Sequence, residues 1–316
     1  ELDRLSGGAV DGETGRITYT QWLNEDGKLE ADLTVTKLAD DRFWVVASDT
    51  AHRHVETWMR RAFEDRDARA SVTDVTGGWA QLNVQGPKSR EVMQLVTSED
   101  MSNDAFPFRA AREIDVGYAR VLCIRITYLG ELGYELYIPS EQALHVYDRL
   151  VEAGDKVGLV HAGLKTLASC RMEKGYRDYG HDIDNTDGVL EAGLGFAVDL
   201  KKPEFCGKAA VVAAKAAGPL KKRLVQVLLK DPEPLLFHAE IVRRDGEPVG
   251  YVRAASYGHT LGAAVGLAMV SDRGGAVIDP AWVNSGTWEL EVADRRVPAL
   301  ASLKPLYDAE NKRVKM

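Results

Sequence analysis

The chain has 316 residues, with 40 Lys and Arg against 48 Asp and Glu and a formal charge of −8. That length exceeds the usual ~100 to 200 residues of one domain, so two or three are expected, and the acidic balance argues against a nucleic-acid binder, which shows a basic face. No run approaches the ~18 to 20 apolar residues of a membrane span, and Cys123, Cys170 and Cys206 are too widely spaced for a disulfide framework or a zinc site, which fits a reducing compartment such as the cytoplasm or the mitochondrial matrix.

The opening ELDRLSGGAV has no initiator Met and no signal peptide, and it reads as the tail of an amphipathic helix within something longer. Residues 16–38 read as a β-hairpin, since Asn24-Glu25-Asp26-Gly27 supplies the positive φ of a tight turn. Its second arm carries an acid, Asp32, among apolar and β-branched neighbours. Depending on the turn centre, Asp32 lies opposite Tyr19 or Gln21 and shares a sheet face with both. A strand Asp is more often solvated, but neither face of this hairpin is plainly solvent, so the hairpin alone leaves the question open.

Phe43–Ala47 is a short apolar strand, and Ser48–Arg61 reads as a capped helix with Val55, Trp58 and Met59 on one face. Ala80–Val84 is another strand, running through Gln85-Gly86-Pro87 into a helix that includes Met93 and Leu95. This alternation suggests an α+β unit of the split βαβ type. Ala119–Tyr128 and Tyr134–Ile138 read as strand arms joined by the turn LGELG, and two helices follow. Glu141–Ala153 places Leu144, Tyr147, Leu150 and Val151 on one stripe, and Leu164–Gly175 places Leu164, Leu167, Ala168, Arg171 and Met172 on another. The stretch 199–222, with an Ala-rich helix closed by Gly218-Pro219, is the best linker. Beyond it, turns at Asp245-Gly246 and Asp272–Gly275 separate short strands in the pattern of a small β-barrel or sandwich.

Few residues here carry chemistry on their own. Tyr128 and Glu135 flank the glycine-bounded turn; a carboxylate taking two parallel N–H donors reads an amino-pyrimidine edge, and an aromatic ring lies against a planar heterocycle. A plain hairpin with a cross-strand Tyr explains the same pattern. Arg171 sits on an apolar stripe, where an ion pair with Glu173, a capping role and ligand binding are all open. Asp182–Gly188 resembles the start of a calcium loop but lacks its glycine and twelfth-position acid, so calcium is rejected. His52 and His54 lack a third ligand of suitable spacing and read as surface histidines. No dinucleotide, P-loop or serine-hydrolase signature is present.

Taken together, TYTQWLNEDGKLEADLTV, QGP at 85–87, YLGELGYELYIP, CRMEKGYRDYGHDI, EAGLGFAV and GHTLG resemble the folate-binding region of dimethylglycine and sarcosine dehydrogenases, itself similar to the aminomethyltransferase (T protein) of the glycine cleavage system. The resemblance runs over nearly the whole chain in order. It implies an α+β fold in a three-domain cloverleaf around a folate cleft: ferredoxin-like units at 1–110 and 111–218, the first lacking its N-terminal part, and a C-terminal β-barrel at 219–316. It implies that Asp32 is the catalytic acid/base near the reacting nitrogens of tetrahydrofolate, with Tyr19 beside it. Tyr128 and Glu135 would pack on and read the pterin, and Arg171 would bind or orient the folate.

Two departures from the T protein, Leu129 within Thr127–Glu131 and Ala47 where an Asn is common, lean toward the amine dehydrogenase branch. That branch implies FAD on an upstream domain absent from this chain, and capture of an iminium or formaldehyde one-carbon unit as 5,10-methylenetetrahydrofolate. The alternatives are a stand-alone aminomethyltransferase and a folate-binding or structural module without turnover.

Overall fold

A computed structural model describes all residues, Glu1–Met316. After a short helix α1 (Leu2–Leu5), strands β1 (Arg16–Leu23), β2 (Leu29–Ala39) and β3 (Arg42–Ala47) form an antiparallel three-stranded meander. The β1–β2 turn follows from its residues: Gly27 has φ 72°, and Asn24 Oδ1 accepts from the backbone N–H groups of Asp26 at 3.1 Å and Lys28 at 3.0 Å. One face of the meander buries Trp22, Ala31, Leu33 and Val35 against Val55 and Met59 of helix α2 (His52–Glu64). Trp22 is fully buried, and its indole N–H finds a partner in Ser6 Oγ at 3.1 Å. The expected Ser48 cap is instead the start of a 3₁₀ turn over Asp49–Ala51, with no capping bond from the Ser48 side chain.

Strand β4 (Trp79–Gln85) and helix α3 (Ser89–Val96) precede β5 (Ala111–Val116), β6 (Ala119–Ile124), β7 (Gly133–Pro139) and helix α4 (Ala143–Asp155). The second sheet has the order β4-β7-β6-β5, so β4, which precedes residue 110, hydrogen-bonds to a strand that follows it. Its core gathers Met93, Phe106, Tyr134 and Ile138 under α3 and α4.

Three sequence expectations change here. Strand β6 stops at Ile124 rather than Tyr128, and Glu135 pairs with Ile124. The chain leaves the sheet because Arg125 is drawn inward, donating to Phe106 O at 2.8 Å, and because Thr127 Oγ1 accepts from Leu129 N and Gly130 N in a local turn. On α4 the buried side is Val146, Leu150 and Ala153, while Leu144 and Tyr147 are exposed. Leu95 of α3 and Leu164, at the start of helix α5 (Leu164–Glu173), also face outward.

Helix α6 (Lys208–Ala216) leads to β8 (Lys222–Leu229), β9 (Ile241–Arg244), β10 (Glu247–Gly258), β11 (Ala263–Ser271), helix α7 (Pro280–Ser285), β12 (Trp288–Val292) and β13 (Arg295–Ser302). These strands close as β10-β11-β8-β13-β12-β9, so the barrel reading holds and the sandwich does not. Strand β11 is apolar along its length because both its faces are covered. Ala264, Ala268 and Val270 fill the barrel, whereas Val265, Leu267 and Met269 pack against Leu23 and Leu29 of the hairpin. No helix is long and apolar enough to cross a membrane.

Candidate functional site

The second face of the hairpin places the site. Ile17, at one end of it, packs with Leu122, Ile124 and Tyr137 of the second sheet. Leu23, at the other end, packs with barrel residues Leu267 and Met269. Between these apolar anchors the period-two rule leaves Tyr19, Gln21 and Asp32 facing the junction of all three units. Register settles which residue opposes the acid: Gln21 pairs with Asp32, and Tyr19 with Thr34.

Gln21 Nε2 donates to Asp32 Oδ1 at 3.0 Å, and the Tyr19 phenol sits beside the same carboxylate. Burial pushes the Asp32 carboxyl up to about 6; the Tyr19 and Gln21 donors pull against that rise, and nearby Asp182 and Asp178 add to it. The Tyr19 phenol is in turn pushed well up by burial and by the Asp32 charge. A carboxyl titrating close to neutrality, among hydrogen-bonding partners, can both take and return a proton.

Arg171 emerges from α5 into this neighbourhood. Its Nη1 donates to Asp182 Oδ1 at 2.8 Å and to Tyr176 O at 3.0 Å. Asp182 Oδ2 accepts from Asp178 N at 3.0 Å, so one ion pair ties down the segment that follows the helix. Burial works against charge on Arg171, but Asp182, Tyr128 and Asp178 together outweigh it and hold the guanidinium firmly cationic. Glu173 is not its partner: Glu173 Oε1 accepts from Thr260 N at 2.7 Å and Leu261 N at 2.9 Å, clasping the GHTLG turn of the barrel.

Tyr128 donates to Arg177 O at 2.8 Å and stacks on Tyr176 with ring centroids 6.1 Å apart. Its hydroxyl is therefore spent on the backbone, leaving the ring as what it can offer. Arg177 donates to Ala192 O at 3.0 Å and Gly175 O at 2.7 Å, and feels the charges of Tyr19, Asp182 and Asp32.

Tyr19, Asp32, Tyr128 and Arg171 thus converge electrostatically. Glu135 belongs to a separate network on β7. Its Oε2 accepts from Tyr137 Oη at 2.7 Å, and Tyr137 Oη accepts from Gln81 Nε2 at 3.2 Å. Burial raises the Glu135 carboxyl, with Tyr137 and Gln81 opposing. Trp44, on the hairpin sheet, meets Tyr137 edge-on at 5.8 Å, which joins the two sheets at this point. An open cavity of about 390 Å³ between the 190–195 segment, α6 and the barrel is lined by Gly193, Lys215 and Arg223, and by none of the predicted site residues.

Sequence reasoning assigned no role to Gln21, Arg177, Asp182 or Tyr137. Strand parity alone offered a signal for Gln21. The Asp-rich run 182–188 is fully engaged, since Asp184 and Asp187 meet Arg253 at 3.2 and 3.3 Å and Asp187 meets Lys222 at 3.1 Å. His52 bonds Asp74 at 2.8 Å, and the adjacent Glu56 is held by Arg60 at 2.9 Å and Arg53 at 3.3 Å, cations that disfavour a metal there.

Residues 1–202 match the family described as GCVT N-terminal domain, and residues 222–308 match the glycine cleavage T-protein C-terminal barrel domain. The chain belongs to the glycine cleavage T-protein family. Among relatives in this family, it is 38% identical over 307 residues to 4-methylaminobutanoate oxidase (formaldehyde-forming) of Paenarthrobacter nicotinovorans, covering 97% of this chain and 36% of that protein. It is 33% identical over 327 residues to human mitochondrial sarcosine dehydrogenase, covering 99% of this chain and 35% of that protein. The chain therefore spans about a third of the length of these relatives. Its fold matches that of the glycine cleavage aminomethyltransferase T of Bartonella henselae, with TM-score 0.78 at 20% identity over 98% of this chain and 81% of that one.

Proposed function

We propose that this T-protein-family chain is the tetrahydrofolate-binding portion of a longer, flavin-linked N-methyl amine dehydrogenase, and that it captures the released one-carbon unit as 5,10-methylenetetrahydrofolate. The observation that carries the reading is Asp32: a carboxyl held near neutrality by burial, opposite an amide and beside a phenol, where three units meet. The surrounding donor and acceptor set supports it. A reduced pterin presents several N–H donors, and the chain answers with acceptors: the carboxylates Asp32 and Glu135, and the buried, unpartnered amide oxygen of Gln85. Trp44 Nε1, also buried and unpartnered, is a donor for a ring carbonyl.

Bound tetrahydrofolate supplies the two nitrogens that take up the carbon. Asp32, whose negative charge favours a cationic iminium donor, accepts the proton released when the first nitrogen bonds that carbon and returns it to the departing amine (or to water, from formaldehyde) as the second nitrogen closes the ring and sheds its own proton to solvent. Glu135 takes N–H donors of the pyrimidine edge, steadied by Tyr137, and the Tyr128 ring packs on the pterin. Arg171 orients the site through Asp182, which fixes the segment bearing Arg177 and Asp178. Much of the acceleration then comes from holding two reactants together. Both relatives are named for N-methyl amine oxidation, which favours that donor class.

Isothermal titration of the folded chain with tetrahydrofolate tests the binding half. Product analysis in the full-length protein, with and without Asp32→Ala, tests the chemistry. Retained binding with methylene transfer lost and formaldehyde released supports the reading; undiminished transfer removes Asp32 from the mechanism.

A further inference from the structure

Gln21 is 0% exposed yet only half satisfied. Its Nε2 donates to Asp32 Oδ1 at 3.0 Å, while its Oε1, equally inaccessible, has no partner. Burying an amide with an unmet acceptor costs free energy that an apolar side chain of the same length would not incur. Ile17 and Leu23, on the same face of the same strand, show what this surface carries where packing alone decides. The bond is also built into the register: Gln21 and Asp32 stand directly opposite each other, so the amide meets the carboxylate from a fixed direction.

The groups facing Asp32 leave this amide a defined task. Tyr19, on the neighbouring strand, is its other donor. Asp178 and Asp182, from the segment after α5, repel its charge, whereas Arg177 of that segment attracts it and Tyr128 adds a phenol across the junction. Among the donors, Gln21 is the one held by β-pairing to the acid itself.

We propose that Gln21 is a positioning residue for Asp32: its amide fixes the orientation of the carboxylate and stabilises its anion for proton transfer, a role in catalysis that rests on the tetrahydrofolate reading above.

The test is Gln21→Met, which keeps length and removes the donor. In ligand-free protein with ¹³Cγ-labelled aspartate, the Asp32 resonance is identified by its loss in Asp32→Asn. The parent carboxyl titrates at about 6, and in Gln21→Met the midpoint moves up by about one pH unit, because one of two donors to the anion is gone. In the full-length protein the pH profile of kcat/KM for methylene transfer moves with it, and tetrahydrofolate Kd at high pH stays within about twofold, a split that loosened packing would not produce. Should the Met variant unfold, Gln21→Leu, which also removes the donor and fills similar volume, is expected to raise the midpoint in the same way. An unmoved midpoint in a folded variant overturns the proposal. A moved midpoint in a protein that shows no tetrahydrofolate binding leaves the Gln21–Asp32 coupling standing and overturns the functional reading instead.

Discussion

Replacing Asp32 with Asn should stabilise the protein, and only where the acid is charged. In the folded chain the carboxyl titrates at about 6, against 3.8 for an unperturbed Asp. At 1.36 kcal/mol per decade, that difference corresponds to about 3 kcal/mol. The folded state binds this proton more tightly than the unfolded state, so stability falls as pH rises through the window from 3.8 to 6. Below the window both states are protonated and the penalty is absent; above it the full penalty applies. Asn carries no charge at any pH and still accepts from Gln21 Nε2. At about pH 8, Asp32→Asn should therefore gain up to about 3 kcal/mol, and at about pH 3, below the window, almost nothing. For a chain of this length unfolding as a unit, with entropy of about 2.1 cal/mol/K per residue, that is an upward Tm change of about 4 °C by calorimetry. Loss of methylene transfer should accompany the gain, as expected when an active-site group is kept at a cost to stability. A variant no more stable than its parent at the higher pH, or equally stabilised at both, refutes the reasoning.

Three further outcomes follow from the packing. Arg171→Met leaves Asp182 buried without its partner and should cost about 3 to 5 kcal/mol in urea unfolding, much of it recovered in Arg171→Met/Asp182→Leu; a cost below about 1 kcal/mol would mean the pair is not structural. Tyr137→Phe removes the donor to Glu135 Oε2 and should weaken tetrahydrofolate binding about tenfold by titration calorimetry, with an unchanged Kd counting against Glu135 as the pterin reader. Gly207 has φ 80°, and an added Cβ would lie 2.4 Å from Asn24 O. Gly207→Ala should therefore lower stability by more than about 1 kcal/mol through the hairpin turn it abuts, measured by thermal unfolding.

Much of the fold was legible because its patterns are local. Period-two alternation and the Asn24–Gly27 turn give the hairpin, the Ala-rich helix closed by Gly218-Pro219 marks the step to the barrel, and the turns at Asp245-Gly246 and Asp272–Gly275 separate its strands. The failures share a cause as well. The apolar neighbours of Tyr128 fit a strand in the sequence, which cannot show that Arg125 is pulled toward Phe106 O from elsewhere. Spacing puts Leu144 and Tyr147 on one stripe with Leu150, whereas packing on the second sheet buries Val146 and Ala153 beside Leu150 instead. Asp32 stood out as an acid in an apolar strand. Gln21 did not, because an amide on a strand is unremarked until register places it opposite a carboxylate. The partner of Arg171 lies eleven positions on, past the end of its helix, where helical spacing predicts nothing.

The central claim is that the junction holding Tyr19, Asp32 and Tyr128, together with Glu135 on β7, grips a reduced pterin. A crystal structure with bound tetrahydrofolate tests it directly. The account predicts the pterin against the Tyr128 ring, its amino edge on Glu135, and its reacting nitrogens within hydrogen-bonding reach of Asp32 or one water away. Density only in the cavity lined by Gly193, Lys215 and Arg223, or a pterin touching neither carboxylate, would contradict it.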